Sequence, residues 1–275
     1  MHTDRTVDLH GRRLHYTEWG ATAAPAVVFL HGITGHARTW DDEARALADR
    51  FRVIALDQRG HGDSDPAPDG DYSDGALLGD LEAFADALGL GRPSLVALSL
   101  GGRVAINYAG RHPERVARLV VVDIGPEIAP AGRARVGGLM AGAPEHFETI
   151  DDVVAHIRAN NPRYREAMLR HRAEHAVRPL PGGGFTWKYD RALRDAIRQG
   201  RLRTPADLWP QWRAIACPVL LVRGAESDIL TDEVAKRMVE VQPQARLAVV
   251  ADAGHTVPGD QPAVFQSLVR DFLMS

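Results

Sequence analysis

A serine in the middle of the chain stands where nucleophilic chemistry is possible. Residues 95–105 read as an apolar strand, an abrupt turn at Ser99 and a helix that opens with small residues. A serine at such a turn projects its hydroxyl above the carboxyl end of a sheet. Its strained backbone requires small neighbours two positions away on each side, which here are Ala97 and Gly101. The pattern predicts a nucleophile elbow, and an ordinary serine N-cap is the alternative.

Two other residues have the types that would complete a catalytic triad with Ser99. Asp228 and His255 each come just after a predicted apolar strand, so both are expected at the same edge of a parallel sheet as the serine. A hydroxyl is a weak nucleophile unaided, an imidazole takes its proton, and a carboxylate fixes the imidazole tautomer and stabilises its cation. Asp123 and Glu226 also stand near strand ends, so the identity of the acid stays open at this point.

A glycine-containing bend predicts an oxyanion hole. Residues 26–30 form a continuous apolar run of the kind that is buried on both faces of a parallel sheet, and His31 and Gly32 follow it. Such a bend turns a backbone amide toward the serine, and we expect the amides of Ile33 and Leu100 to hold the oxyanion. Losing one such donor typically costs ~3 kcal/mol of transition-state stabilisation.

Apolar runs alternate with helical patterns along much of the chain. The predicted buried strands are residues 26–30, 52–57, 95–98, 119–124, 218–222 and 246–251. Between them, apolar side chains recur at helical spacing, most clearly over residues 75–89. This alternation implies right-handed crossovers, a mostly parallel sheet and a site above the carboxyl ends of the strands. The predicted fold class is therefore α/β, with a doubly wound sheet.

Residues 126–205 contain no apolar strand runs, and we interpret them as a helical insertion. This segment holds 14 basic and nine acidic residues, a net charge of +5, whereas the remaining 195 residues carry −8. A basic cover over a site would attract carboxylate substrates, although arginines on the solvent face of the helices explain the charge equally well. The expected substrate-binding residues are Trp40, Leu139, Met140 and Trp187.

Other polar residues near strand ends are interpreted as structural. Asp57 and Arg59 lie in a tight glycine-containing loop, where a bidentate hydrogen bond from the arginine to the aspartate would lock the turn. His31 is expected to hydrogen-bond its own loop. Together with His36 and His61 it lacks the ligand spacing of known metal sites, so no metal ion is expected.

The composition is that of an ordinary globular protein, with 45% apolar and 25% charged residues. A formal net charge of −3 gives no reason to expect a nucleic-acid partner. The polar N-terminus lacks the apolar run of a signal peptide, and no stretch approaches the roughly 18 apolar residues that span a bilayer. We therefore expect a cytoplasmic protein with no membrane partner, and the oligomeric state stays open. Cys217 is the one cysteine and is expected in the core.

Taken together, the motifs resemble those of the α/β-hydrolases. The matching pieces are His31-Gly32, Asp57-x-Arg59-Gly60-His61-Gly62-x-Ser64, the Ser99 elbow, Arg223-Gly224 before Asp228, and Gly254-His255. The resemblance implies an eight-stranded, mostly parallel sheet with a helical cap inserted after the sixth strand. Residues 1–125 and 206–275 would then form the core and residues 126–205 the cap.

The resemblance also assigns roles and implies that no metal or organic cofactor is needed. It gives the catalytic roles to Ser99, Asp228 and His255. We favour Asp228 over Asp123 as the acid because the loop that carries it, before a helix, has the length usual for the acid loop of the family.

The type of nucleophile narrows the function. Relatives that dehalogenate haloalkanes or open epoxides form an ester on an aspartate, and Ser99 argues against both activities. The leading hypothesis is a cofactor-independent serine hydrolase that cleaves a small carboxylic ester or lactone through an acyl-serine intermediate. The alternatives are a C–C bond hydrolase of a ring-cleavage-type diketone and a ligand receptor on a hydrolase fold. The sequence leaves the substrate itself open, because fold does not determine it.

Overall fold

Continuous apolar segments form the strands that organise the molecule. The computed structural model describes residues 2–199 and 206–275. Its strands are β1 (Thr3–Leu9), β2 (Arg12–Trp19), β3 (Ala26–Leu30), β4 (Arg52–Leu56), β5 (Ser94–Leu98), β6 (Leu119–Val122), β7 (Val177–Pro179), β8 (Phe185–Trp187), β9 (Val219–Gly224) and β10 (Ala245–Val250). Eight of them form one sheet in the order β1-β2-β4-β3-β5-β6-β9-β10. The pairings of β2 with β1 and with β4 are antiparallel and all others in this sheet are parallel, as the α/β prediction requires.

Helices cover both faces of this sheet. They are α1 (Asp41–Leu47), α2 (Asp74–Ala87), α3 (Leu100–Arg111), α4 (Pro130–Gly142), α5 (Ile150–Asn160), α6 (Glu166–Ala176), α7 (Arg191–Arg198), α8 (Trp209–Ala214), α9 (Asp232–Val241), α10 (Val257–Asp260) and α11 (Pro262–Met274), with 3₁₀ turns at Ala37–Trp40 and Pro113–Arg115. Helices α2, α3, α8 and α9 contribute to the apolar core on one face, and α1 and α11 contribute to the core on the other. Successive strand residues point to opposite faces, so the central strands are buried on both sides.

A separate layer lies between β6 and α8. It contains α4 to α7 and a hairpin of β7 and β8, and its apolar residues form a core of their own. We call its described part, residues 126–199, the cap. The expected C-terminal boundary of the cap at residue 205 lies outside the described residues. The prediction of an all-helical insertion missed the hairpin, because three-residue strands are too short to show a periodic pattern.

Trp40, an expected substrate-binding residue, is buried in the core instead of lining a cavity. Its side chain is fully buried in the core beneath α1, with its ring 5.0 Å from that of Phe29 and 6.2 Å from that of Phe265. The sequence does not indicate which way the Trp40 side chain points, because an aromatic residue suits either the core or a cavity wall. In the described part of the chain, no helix combines the length and the apolar character needed to cross a membrane.

Candidate active site

Ser99 lies at the turn between β5 and α3 in a strained backbone conformation. Its φ is 54° and its ψ is −116°, a combination that residues other than glycine rarely adopt. Close packing holds the turn in place, since a Cβ added at Gly101 would lie 2.5 Å from the carbonyl oxygen of Leu30, and one at Gly32 would lie 3.3 Å from the Ser99 Cβ. Strain of this kind persists only where the surroundings over-determine it, as they do at a nucleophile elbow.

The two backbone amides expected to hold the oxyanion, those of Ile33 and Leu100, have no hydrogen-bond partner in the described residues. Leu100 is the first residue of α3, so its N–H has no partner within the helix. The amide of Ile33 follows the bend after β3, and Ile33 lines the same cavity as Ser99. Neither amide donates a hydrogen bond to another group in residues 2–199 or 206–275. The ring of His61 fixes the Ile33 loop, because it lies between the carbonyl oxygens of Ile33 (2.8 Å) and Arg59 (2.9 Å) and donates to one of them.

His31 has the structural role expected of it. Its Nδ1–H donates to the carbonyl of Gly32 at 2.8 Å, and its Nε2 accepts the backbone N–H of Gln58 at 3.1 Å. Complete burial, followed in importance by the nearby ring of His61, lowers the pKa of His31 to about 3. The ring therefore stays neutral and links the loops after β3 and β4.

His255 is held by a carboxylate at the end of β6. Its Nδ1 lies 2.9 Å from Oδ2 of Asp123, whose side chain is completely buried. Asp123 also accepts the backbone N–H of Gly224 at 3.0 Å and the hydroxyl of Ser227. A carboxylate partner at Nδ1 fixes the proton there and leaves the Nε2 lone pair of His255 free to accept a proton.

The expected hydrogen bond between Asp228 and His255 is absent from this structure. Both carboxylate oxygens of Asp228 accept hydrogen bonds from the guanidinium of Arg135, at 2.6 and 2.8 Å. The pairing lowers the pKa of Asp228. Both side chains are about half exposed, and Arg135 belongs to α4 of the cap. The aspartate follows β9 as expected, but both of its oxygens pair with the cap arginine and neither is hydrogen-bonded to His255.

A cavity of about 450 Å³ lies between the cap and the ends of the strands. Ser99, Ile33 and His255 line it on the core side, and no hydrogen bond joins the Ser99 hydroxyl to the His255 ring in this structure. Such contacts often tighten only when substrate binds. Three of the expected substrate-binding residues, Leu139, Met140 and Trp187, line the cavity from the cap.

Three arginines of the cap reach the cavity wall, and they differ in their partners. Arg135 pairs with Asp228, and Arg163 pairs with Glu226 on the same loop. Arg172, on α6, forms neither an ion pair nor a hydrogen bond within the described residues, and its buried Nε has no acceptor. Its guanidinium carbon lies 4.7 Å from the centre of the Tyr164 ring. Arg172 is therefore a positively charged residue at the cavity wall that pairs with no acidic group in the described residues. The sequence did not distinguish it from the many other arginines of the cap.

The expected bond between Asp57 and Arg59 is absent. Arg59 instead pairs with Asp80 of α2, with its Nε 2.6 Å and its Nη2 2.7 Å from the carboxylate oxygens. Asp57 accepts from His15 at 2.7 Å and from the backbone N–H of Asp63 at 3.0 Å. Burial acts to raise the pKa of Asp57, but these hydrogen bonds and nearby positive charge hold it at about 2. Both residues are structural, as predicted, with partners that the local sequence did not reveal.

Comparisons with known proteins bear on the fold and on the class of reaction. The family model described as alpha/beta hydrolase fold matches residues 25–262. The chain is 29% identical to a 2-(acetamidomethylene)succinate hydrolase of Mesorhizobium japonicum, over 98% of this chain and 94% of that protein. A crystal structure of an E-2-(acetamidomethylene)succinate hydrolase superposes with a TM-score of 0.92 at 29% identity, covering 100% of both chains.

Two further relatives have different names. A 3-hydroxybutyrate-oligomer hydrolase of Cupriavidus necator is 31% identical over 91% of this chain and 89% of its own length. An esterase of Mycobacterium tuberculosis is 33% identical over 93% of this chain and 84% of its own length. Similar chains of this kind therefore carry names for more than one hydrolytic reaction.

Proposed function

The chain belongs to the α/β-hydrolase family, and on that premise we propose that it is a serine hydrolase that cleaves a small carboxylic ester or lactone. The observation that carries the proposal is the shared cavity of Ser99 and His255, with His255 bound through Nδ1 to the buried carboxylate of Asp123. The strained turn at Ser99 and the two free amides beside it are what acyl transfer requires.

Each residue has a defined step in this mechanism. The Ser99 hydroxyl attacks the carbonyl carbon while Nε2 of His255 takes its proton, and Asp123 stabilises the resulting imidazolium. The amides of Ile33 and Leu100 hold the oxyanion of the tetrahedral intermediate. His255 then gives its proton to the leaving alkoxide, which leaves an acyl ester on Ser99. Water, deprotonated by His255, hydrolyses this ester and restores the serine.

A fluorophosphonate probe tests the nucleophile directly. The native protein is expected to become covalently labelled, and Ser99→Ala is expected to lose both labelling and turnover, with a fall in kcat of at least about 10⁴-fold. Ser267→Ala is the matched control, because Ser267 is exposed on α11 and outside the cavity lining. Equal labelling of Ser99→Ala and the native protein would exclude Ser99 as the nucleophile.

We further propose that the substrate carries a carboxylate. The unpaired guanidinium of Arg172 at the cavity wall supports this, since a half-buried cation without an acidic partner favours an anionic ligand. The names of two relatives, which refer to a succinate and to 3-hydroxybutyrate oligomers, fit a substrate of this class. An acidic substrate would also suit C–C bond hydrolysis, so turnover of a ring-cleavage dienoate must be compared with that of p-nitrophenyl acetate to separate the two reactions.

The role of Arg172 is tested with a pair of esters that differ in charge. Arg172→Gln is expected to raise the KM for p-nitrophenyl hemisuccinate by about 10-fold to 100-fold, the loss of one charge-assisted hydrogen bond, and to leave p-nitrophenyl butyrate nearly unchanged. The control is Arg158→Gln, an exposed cap arginine paired with Glu166 outside the cavity lining. If the two esters respond equally to Arg172→Gln, the substrate's charge is recognised elsewhere or not at all.

A further inference from the structure

A cluster of histidines and an aspartate joins the cap to the core behind the cavity wall. His171 and His175 are four residues apart on α6, so their side chains share one face of that helix. They face Asp41, the first residue of α1. The two imidazole rings have centroids 4.6 Å apart, and Nε2 of His171 lies 3.1 Å from Oδ2 of Asp41.

The donor atoms of this cluster are close enough to share one ion. One nitrogen from each histidine and one oxygen of Asp41 all lie within 4.8 Å of one another. In a tetrahedral zinc site with bonds of about 2.0–2.1 Å, the ligand atoms lie roughly 3.4 Å apart. Small side-chain rotations bring the three atoms to that spacing, and water would complete the coordination. We propose that Asp41, His171 and His175 form a binding site for a divalent transition metal of the Zn²⁺ class.

An unsatisfied oxygen on one of the ligands supports this assignment. Oδ2 of Asp41 accepts from Arg38 at 2.7 Å, but the buried Oδ1 of the same carboxylate has no hydrogen-bond partner. Buried polar atoms without partners are uncommon in native proteins, and Oδ1 leaves this carboxylate an oxygen that no protein group uses.

The charged groups around the cluster are Arg38, which pairs with Asp41, together with Lys188 and Glu43. Nε2 of His171 also lies 3.1 Å from the backbone carbonyl oxygen of Arg38, so an ion bound at that nitrogen replaces this contact.

The second grouping of possible ligands in the described residues is chemically different. His15, Asp57 and Asp63 also bring ligand atoms within 4.8 Å of one another. There, however, both oxygens of Asp57 already accept backbone amides, and His15 is hydrogen-bonded through both ring nitrogens. This grouping is satisfied without an ion and serves as an internal comparison.

Metal binding is measured by equilibrium dialysis and calorimetry with Zn²⁺ alone, at pH 7.5, on the full chain. We expect one ion per chain, a rise in Tm on adding Zn²⁺, and visible absorption with Co²⁺ that lacks a thiolate charge-transfer band. His175→Ala is expected to weaken Zn²⁺ affinity by at least about tenfold and to remove the rise in Tm. Because His175 forms no hydrogen bond within the described residues, the Tm of this variant in EDTA should match the native value, and Asp41→Asn provides a second test.

The matched control is His112→Ala, which removes a histidine paired with Glu82 at 2.7 Å outside both groupings. Its Zn²⁺ affinity should equal that of the native protein. The proposal is overturned if the native protein binds no Zn²⁺, if His175→Ala binds it as tightly as the native protein, or if Asp63→Asn abolishes binding while His175→Ala does not.

Discussion

Asp123 contacts His255 through one oxygen and is itself held by donors from the loop after β9. Its carboxylate accepts from the Gly224 amide and the Ser227 hydroxyl, and Ser227 in turn accepts the amide of Ile229 at 3.1 Å. This network fixes the carboxylate in one orientation. The aspartate's own φ of 51° shows that the chain after β6 turns sharply to place it.

Substitution of the two competing aspartates separates their roles. Asp123→Asn is expected to lower kcat by about 10⁴-fold, because an amide no longer fixes the His255 tautomer or stabilises its cation. Asp228→Asn breaks an exposed ion pair with Arg135 and should change kcat by less than about tenfold. The measurement is kcat on a p-nitrophenyl ester, with Tm as the check on folding. If Asp228→Asn lowered kcat far more than Asp123→Asn did, Asp228 would be the catalytic acid.

Glu43 is a buried carboxyl group that makes the stability depend on pH. Burial, opposed by Arg172 and reinforced by Asp42 and Asp41, raises its pKa from 4.5 to about 7. Between these values the folded chain keeps a proton that the unfolded chain releases, so the free energy of unfolding falls as the pH rises through this window. The loss is on the order of 3 kcal/mol by the time the pH exceeds 7.

An amide at position 43 stays neutral and should remove this dependence. Glu43→Gln is expected to gain stability relative to the native protein as the pH rises from 5 to 8, measured by urea denaturation at each pH. Asp42→Asn is the control, because Asp42 is exposed beside it on α1. A stability difference between Glu43→Gln and the native protein that does not vary with pH would contradict the assignment.

At the level of elements, the contact between β3 and α3 sets the geometry of the elbow. The backbone of Gly101 lies so close to Leu30 that a side chain at 101 requires α3 to move away from the sheet. Gly101→Ala should therefore destabilise the fold by about 1–3 kcal/mol and slow fluorophosphonate labelling, because the Leu100 amide moves with the helix. Urea denaturation and labelling rates measure the two effects.

A glycine in the neighbouring helix provides the control for this substitution. A Cβ at Gly79, in α2, would meet nothing within 4 Å. Gly79→Ala should thus leave labelling unchanged and stabilise the protein by up to about 1 kcal/mol, the difference in helix propensity. If both alanine variants behave alike, the close approach at Gly101 does not control the elbow.

The elements were predictable where one physical pattern extends over enough residues. Strands such as β5 and β9 are continuous apolar runs with polar or glycine residues at their ends, and their order implied the parallel sheet. The elbow was predictable because its constraints are local. The carboxylate partner of His255 was not, because the choice between Asp123 and Asp228 depends on where α4 places Arg135, which is a tertiary relationship between residues 93 positions apart.

At the scale of the whole molecule, a few polar contacts tie the cap to the core around the cavity. They include the Arg135–Asp228 and Arg163–Glu226 pairs and the bond of Lys188 to Asp63 at 2.7 Å. Pairs between partly exposed side chains contribute about 0–1 kcal/mol each, and salt screens them. The cap's own apolar core, by contrast, holds its helices and hairpin together. Two core residues, Ile33 and Tyr72, also pack against that apolar cluster, so the cap is joined to the core by apolar as well as polar contacts.

Ser99, Asp123 and His255 all lie outside residues 126–199: Ser99 and Asp123 precede the segment and His255 follows it. The cap lines the cavity but supplies none of these three residues, so a change in the cap alters the cavity wall and leaves them in place. A cap taken from another family member would change the side chains that line the cavity around the Ser99 hydroxyl. It would also remove the arginine partners of Glu226 and Asp228. A working chimera therefore needs either arginines at the same two points of the new cap or neutral residues in place of the two acids.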